Sequence, residues 1–273
     1  LQKDSVTEVG LGDHVSKEMA VIFSDIRGFT SISEKLGSQE NFDFVNGYWQ
    51  AISPYIREHR GIIVKYLGDG MMAMFEHGVD DALRASIAKM KEVQRFSQSL
   101  VAQGLPEINI GVGINFGRLM FGIIGEENRM QGDAFSDEVN TAARVEGLTK
   151  FYGVSIILTE LAYRALDTAD SYRLRYLDQI VVKGRAEPIA IYEVLDGLPD
   201  EVLAQKWGSI ESFMVARDDY VHGRLESAVE KFSALVAQYP ADRVFALYRE
   251  RVLFLQERGL PEGWNGVWQM AQK

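Results

Sequence analysis

Apolar positions along this chain change period several times, and each change predicts an element. Met19 to Phe23 form a short apolar run ending at Ser24 and Asp25, the pattern of a buried strand whose last residues emerge at an edge. From Phe42 onward Val45, Trp49, Ile52 and Ile56 fall three or four apart, as on one face of a helix, and Gly61 stops it. Ile62 to Tyr66 and Met71 to Phe75 are two apolar runs around Leu67-Gly68-Asp69-Gly70, which predicts a β-hairpin. A second helix is expected from Val79 to Leu100, burying Leu83, Ile87, Met90 and Val93. Ile108, Ile110, Val112 and Ile114 alternate strictly with polar residues or glycine, the period of a half-buried strand, and Gly117 is expected to turn it into Leu119, Phe121 and Ile123.

Ser136 reads as the N-cap of a helix from Asp137 to Lys150, with Gly153 leading into a strand over Ser155 to Leu158. Arg173 to Val182 and Ile189 to Val194 supply the last strands. Strands alternating with helices, but with adjacent hairpins, predict an α+β sandwich with helices on one side of a mostly antiparallel sheet. Residues 1–18 carry only scattered apolar positions and read as a connector. Beyond Gly197 the pattern is helical, broken at Tyr239-Pro240; Ile210 to Leu255 resembles one tetratricopeptide-like helical pair, followed by Trp264 and Trp268. One such repeat cannot bury its own face, so residues 197–273 are expected to pack on the main domain (19–196) or on a partner.

Of the 273 residues, 47% are hydrophobic, and the formal net charge is -10. That charge argues against a broad attraction to nucleic acid or to an anionic membrane, so a polyphosphate ligand has to be held by local cations or metals. There are no cysteines, which excludes disulfides, thiolate metal sites and cysteine nucleophiles and suits a cytoplasmic location. No apolar run approaches bilayer length, and the start at Leu1 reads as a fragment of a longer, possible membrane-tethered, parent chain.

The candidate chemistry begins with Asp25 and Asp69, each at the end of an apolar strand. Either alone reads as a turn former. If the first strand lies beside the hairpin, both carboxylates converge at one edge, where hard oxygen ligands would hold Mg²⁺ or Mn²⁺. A GxxxxGK[ST] phosphate loop is absent, His14, His59, His77 and His222 lack metal-ligand spacing, and Met71, Met72 and Met74 read as core filling.

The segments FSDIRGFTSIS (23–33), KYLGDGMMAMF (65–75), INIGVGINFGRLMFGIIG (108–125), DEVNTAARVEGL (137–148) and VKGRAEPIAIYEV (182–194) resemble, in order and spacing, the catalytic domains of class III adenylyl and guanylyl cyclases. The resemblance covers residues 19–195 and implies a ferredoxin-like nucleotidyl cyclase fold working as a homodimer on ATP with two divalent metal ions. It implies that Asp25, Asp69 and the backbone carbonyl of Ile26 are metal ligands. Lys65 and Asp133 match the purine-reading positions, where a donor Lys and an acceptor Asp complement adenine's N1 and N6 and oppose guanine's edge. Asn140 and Arg144, at i and i+4 on a predicted helix face, match the pair that orients the ribose and meets charge developing on the α-phosphate. Lys183 matches a lysine on the terminal phosphates. Ser136 stands where many relatives have glycine. In the family's arrangement the metal aspartates come from one subunit and the purine-reading residues and the Asn/Arg pair from the other, and a sensor is expected before Leu1. The alternatives are a guanylate cyclase, which Lys65 and Asp133 disfavour, and a degenerate cyclase-like domain that only binds nucleotide or a partner.

Overall fold

A computed structural model describes residues 10–126, 129–181 and 187–268. Lys183 and the segment around it lie outside the described residues. The elements are β1 (His14–Ile26), α1 (Phe29–Ser33), α2 (Ser38–Glu58), β2 (Gly61–Leu67), β3 (Gly70–Phe75), α3 (Val79–Ala102), β4 (Ile110–Glu126), β5 (Arg129–Phe135), α4 (Asp137–Tyr152), β6 (Ile156–Thr159), α5 (Glu160–Arg164), β7 (Leu174–Ile180) and β8 (Ile189–Val194), followed by α6 (Asp200–Gly208), α7 (Ile210–Val221), α8 (Leu225–Gln238) and α9 (Arg243–Arg258). The α+β fold has a mostly antiparallel sheet in the order β2-β3-β1-β4-β6-β8-β7, with β5 paired to β4. The single parallel pair on this path, β4 with β6, is reached through α4.

Period two along the strands divides the core. Ala20 and Ile22 of β1, Met71, Ala73 and Phe75 of β3, and Ile156 and Leu158 of β6 pack with α2 and α3. Met19 and Val21, Met72 and Met74, and Leu119 pack instead with Val139 and Ala142 of α4. Ile157, Leu177 and Ile191 join Val145 and Tyr152 of α4 and the apolar faces of α7, α8 and α9. Helices therefore cover both faces, not one; the pattern of strand residues fixed which alternate, and the second face became visible only when α4 and the C-terminal helices were placed on it. The three buried methionines of β3 fill core, as expected.

Two boundaries differ from the sequence reading. β1 begins at His14, so residues 14–18, expected in the connector, pair with Gly122 back to Arg118. Gly117 does not turn the chain: its φ of 158° is extended backbone, and β4 continues through it to Glu126, 17 residues in all. Strand β5, which the sequence reading did not anticipate, pairs Met120 to Glu126 of that extension with Phe135 back to Arg129.

Candidate active site

β1 lies between β3 and β4, with Ser24 opposite Met71 and Asp25 opposite Gly111. The β2–β3 hairpin closes with Leu67 paired to Gly70, leaving Gly68 and Asp69 as a two-residue loop. Gly68 takes a left-handed φ of 70°, which a side chain would resist, and so sets Asp69 at the tip. The end of β1 and the hairpin tip meet there: a Cβ on Gly70 would stand 3.2 Å from Asp25 Oδ1. The Asp69 carboxyl lies within interaction range of the Asp25 carboxyl and of the Asp69 and Ile26 backbone amides. Burial, then the hydrogen bond and charge of Asp25, push the Asp69 carboxyl up to about 7. A cavity of about 270 Å³ opens beside Asp25, lined also by Phe23, Leu67, Ala143 and Glu146.

Two ionisable groups beside this pair escaped the sequence reading. Lys89 of α3 is wholly buried and donates to the Ser24 hydroxyl, one residue before Asp25. Burial brings its ammonium down to about 7, opposed by Asp25 and Glu146. Glu146 of α4 is pushed up to about 7, first by burial and then by Asp25, with Arg27 and Lys89 opposing. Both were detectable as charges in phase with an apolar stripe: Ala82, Ser86, Lys89 and Val93 in α3, and Val139, Ala142, Glu146 and Thr149 in α4. α4 reaches this edge because β4 has no side chain at Gly113, where a Cβ would come within 2.3 Å of the Glu146 amide nitrogen.

The two carboxyl groups, Asp69 raised first by burial and then by Asp25, fit a hard divalent cation whose charge would favour their ionised forms. No cluster of three or more His, Cys, Asp or Glu side chains suited to a metal occurs among the described residues.

Lys65 and Asp133 are brought together by two irregularities. Between Ile63 and Lys65 the β2 register shifts, Ile63 facing Ala73 and Lys65 facing Met72. This bulge turns Lys65 to the α4 face of the sheet, where strict alternation would have turned it to the α2 and α3 face. Met72 faces Phe23, which faces Gly113, whereas Asp133 faces Gly122. Nine residues of straight strand would separate those levels by about 30 Å. The β4–β5 arm instead curls over the sheet, and Lys65 Nζ donates to Asp133 Oδ1 at 2.8 Å and Oδ2 at 2.7 Å. Asp133 is buried, and Lys65 is partly exposed.

Asn140 and Arg144 are exposed one turn apart on α4. Ser136 caps this helix as expected, its hydroxyl accepting from the Val139 amide at 3.1 Å. Asn140 lines a second cavity of about 480 Å³ with Met120, Ala134 and Phe135 of the arm. One chain thus presents two patches, one cavity lined by Asp25 beside the hairpin tip that carries Asp69, and another lined by Asn140 and by Ala134, the neighbour of Asp133.

Comparison with known proteins agrees with this geometry. The profile of the family described as adenylate and guanylate cyclase catalytic domain matches residues 13–195. An adenylate cyclase of Anabaena cylindrica is 40% identical over 195 residues, 69% of this chain and 39% of that protein. The terminal-differentiation specific adenylate cyclase of Dictyostelium discoideum is 34% identical over 251 residues, 90% of this chain and 12% of that protein, a span that runs well into the C-terminal helices. The chain therefore spans a minor part of these curated relatives. The crystal structure of the adenylyl cyclase CyaB from P. aeruginosa superposes with a TM-score of 0.62 at 32% identity, covering 69% of this chain and 98% of that one. From residue 13 to residue 195, this chain belongs to the family of adenylate and guanylate cyclase catalytic domains.

Proposed function

We propose that the chain is an adenylate cyclase, converting ATP to 3′,5′-cyclic AMP and pyrophosphate at sites shared between two copies. The observation that carries the choice of ATP is the Lys65–Asp133 pair, a cation donor 2.7 Å from a carboxylate acceptor. Adenine entering between them offers an acceptor at N1 to the ammonium and a donor at N6 to the carboxylate, so both groups keep a partner. Guanine would set N1–H against Lys65 and O6 against Asp133, leaving both unpaired at a cost of several kcal/mol. Three large apolar side chains of the β4–β5 arm, Met120, Met130 and Phe135, stand about half exposed, a surface the second copy would cover.

In this reading Asp25, Asp69 and the Ile26 carbonyl hold two divalent ions, Mg²⁺ or Mn²⁺. Those ions supply a lowered pKa for the ribose 3′-hydroxyl and neutralise the triphosphate. Asn140 of the second copy orients the ribose, and its Arg144 faces the charge that develops on the α-phosphate. The 3′-oxygen bonds to the α-phosphorus as its proton passes to solvent water, and the bond from the α-phosphorus to the bridging oxygen breaks, so that pyrophosphate leaves with that electron pair. Lys183 contacts the terminal phosphates. A cytoplasmic parent chain with a sensor before Leu1 belongs to the same proposal, as does a helical extension from residue 197 as a distinct segment.

Purified protein incubated with ATP and Mn²⁺ yields cyclic AMP if the reading holds; nucleotide binding without turnover favours a degenerate domain, and preferential cyclisation of GTP favours the guanylate alternative. The base-reading assignment has its own test. Lys65→Glu with Asp133→Cys weakens ATP use and raises relative use of GTP by about tenfold or more, while absolute turnover falls. An unchanged ATP-to-GTP ratio in that double variant shows that these residues do not read the base.

A further inference from the structure

α4 is buried along one stripe, Val139, Ala142, Val145, Thr149 and Tyr152, at spacings of three and four. The stripe joins two cores. Val139 and Ala142 pack with Met19, Met72 and Leu119 on the arm side. Val145 and Tyr152 pack with Phe213, Phe232 and Tyr248 of the C-terminal helices. At its N-terminal end α4 is pinned by Asn115 of β4, whose amide donates to Glu138 Oε2 at 2.7 Å and to the Glu138 carbonyl at 3.0 Å.

The C-terminal end is held by a buried polar cluster from β7 and α9. Tyr152 Oη donates to Asp178 Oδ2 at 2.6 Å, and Arg251 Nη1 of α9 donates to the same oxygen at 2.6 Å. Arg251 Nη2 lies 3.3 Å from Tyr152 Oη, and Tyr248 Oη lies 3.0 Å from Asp178 Oδ1. None of the four residues is more than 2% exposed. At the next residue Gly153 closes α4 with a φ of 68°, and Arg243, the first residue of α9, packs 3.0 Å from where a Cβ would stand.

Burying such an ion pair adds little net stability over apolar residues of the same volume. What a planar guanidinium does provide, with Nη1 on the Asp178 carboxylate and Nη2 on the Tyr152 hydroxyl, is one fixed geometry. We infer that α9 is a positioning element of the active site, with Arg251 acting through Asp178 and Tyr152 to fix α4 and hence Asn140 and Arg144. This rests on the proposed two-copy cyclase site. Tyr152 lies eight residues beyond Arg144 and twelve beyond Asn140, about 12 and 18 Å along the axis. With that end released, a roll of about 10° carries a side-chain end on the helix surface by about 1 Å. Displacement of that order in a catalytic group can cost on the order of a hundredfold.

The test uses the whole chain and dimers purified through two different tags. Tyr152→Phe lowers kcat about tenfold and leaves KM for ATP within about twofold, because the residues assigned to base and metal lie on strands and the hairpin. The uncharged pair Asp178→Asn with Arg251→Gln, which removes both buried charges together, does the same and guards against a folding defect in either variant. Mixed with Asp25→Ala, the Tyr152→Phe chain lends its carboxylates to a site whose α4 comes intact from the other copy, so one of two sites works at full rate. Mixed with Asn140→Ala, every site draws α4 from a damaged copy, and turnover falls about tenfold below the first mixture. Wild-type kcat in both variants, or equal activity in the two mixtures, overturns the inference. A reference mixture of Asp25→Ala with Asn140→Ala separates the two levels: if it stays silent, the two-copy reading fails and takes the inference with it.

Discussion

Asp25→Ala and Asp69→Ala each lower cyclic AMP formation by about a thousandfold or more while the fold persists. The loss is large because Asp25 and Asp69 are the carboxylates assigned to both divalent ions. The fold persists because neither side chain belongs to the apolar clusters that hold the sheet. Stability supplies an independent reading of the same pair. A carboxyl raised from its ordinary range to about 7 favours the folded state only while protonated, so this contribution is present at low pH and fades as pH rises toward and past 7. The metal-free wild type is therefore expected to melt at a lower temperature at pH 7.5 than at pH 5 on account of this pair, and Asp69→Asn flattens that dependence. Mg²⁺ or Mn²⁺ raises the wild-type melting temperature and leaves the variant's nearly unchanged. Near-normal turnover in either alanine variant overturns the metal assignment.

Asn140→Ala and Arg144→Ala each cost on the order of a hundredfold in kcat, the scale of removing one donor from a site that stabilises developing charge. The pairing of lesions carries the larger effect. Homodimers of Asp25→Ala and of Asn140→Ala are both nearly inactive, yet in a mixed dimer one site inherits both lesions and the other inherits none. Random exchange makes about half the dimers mixed, each with one working site of two, so the mixture recovers about a quarter of wild-type activity. Recovery from almost nothing cannot come from a site built within one chain. Verified mixed dimers that stay inactive overturn the shared site.

The sequence by itself determined most of the long helices and core strands and put Asp25 and Asp69 at strand ends, though not β5 or the full length of β1 and β4. Period two in Ile108 to Ile114 and period three to four from Val45 to Ile56 follow from which side chains must avoid water, a local property written in the order of residues. Asp69 at a hairpin tip follows from Gly68, because the loop's left-handed corner excludes other side chains. Extension of β4 through Gly117 was not legible, since a glycine accepts both an extended φ of 158° and a turn and only pairing to β1 and β5 selects the former. Nor was the bulge at Val64, which decides the face on which Lys65 stands, because a one-residue shift in register leaves no mark in composition. The tertiary structure alone decided that the arm curls back to set Asp133 on Lys65, and that Lys89 sits behind Ser24. It decided as well that the C-terminal helices enter the core through Tyr152, Asp178 and Arg251, residues separated by up to 99 positions whose attraction depends on shared burial, a quantity that no stretch of sequence contains.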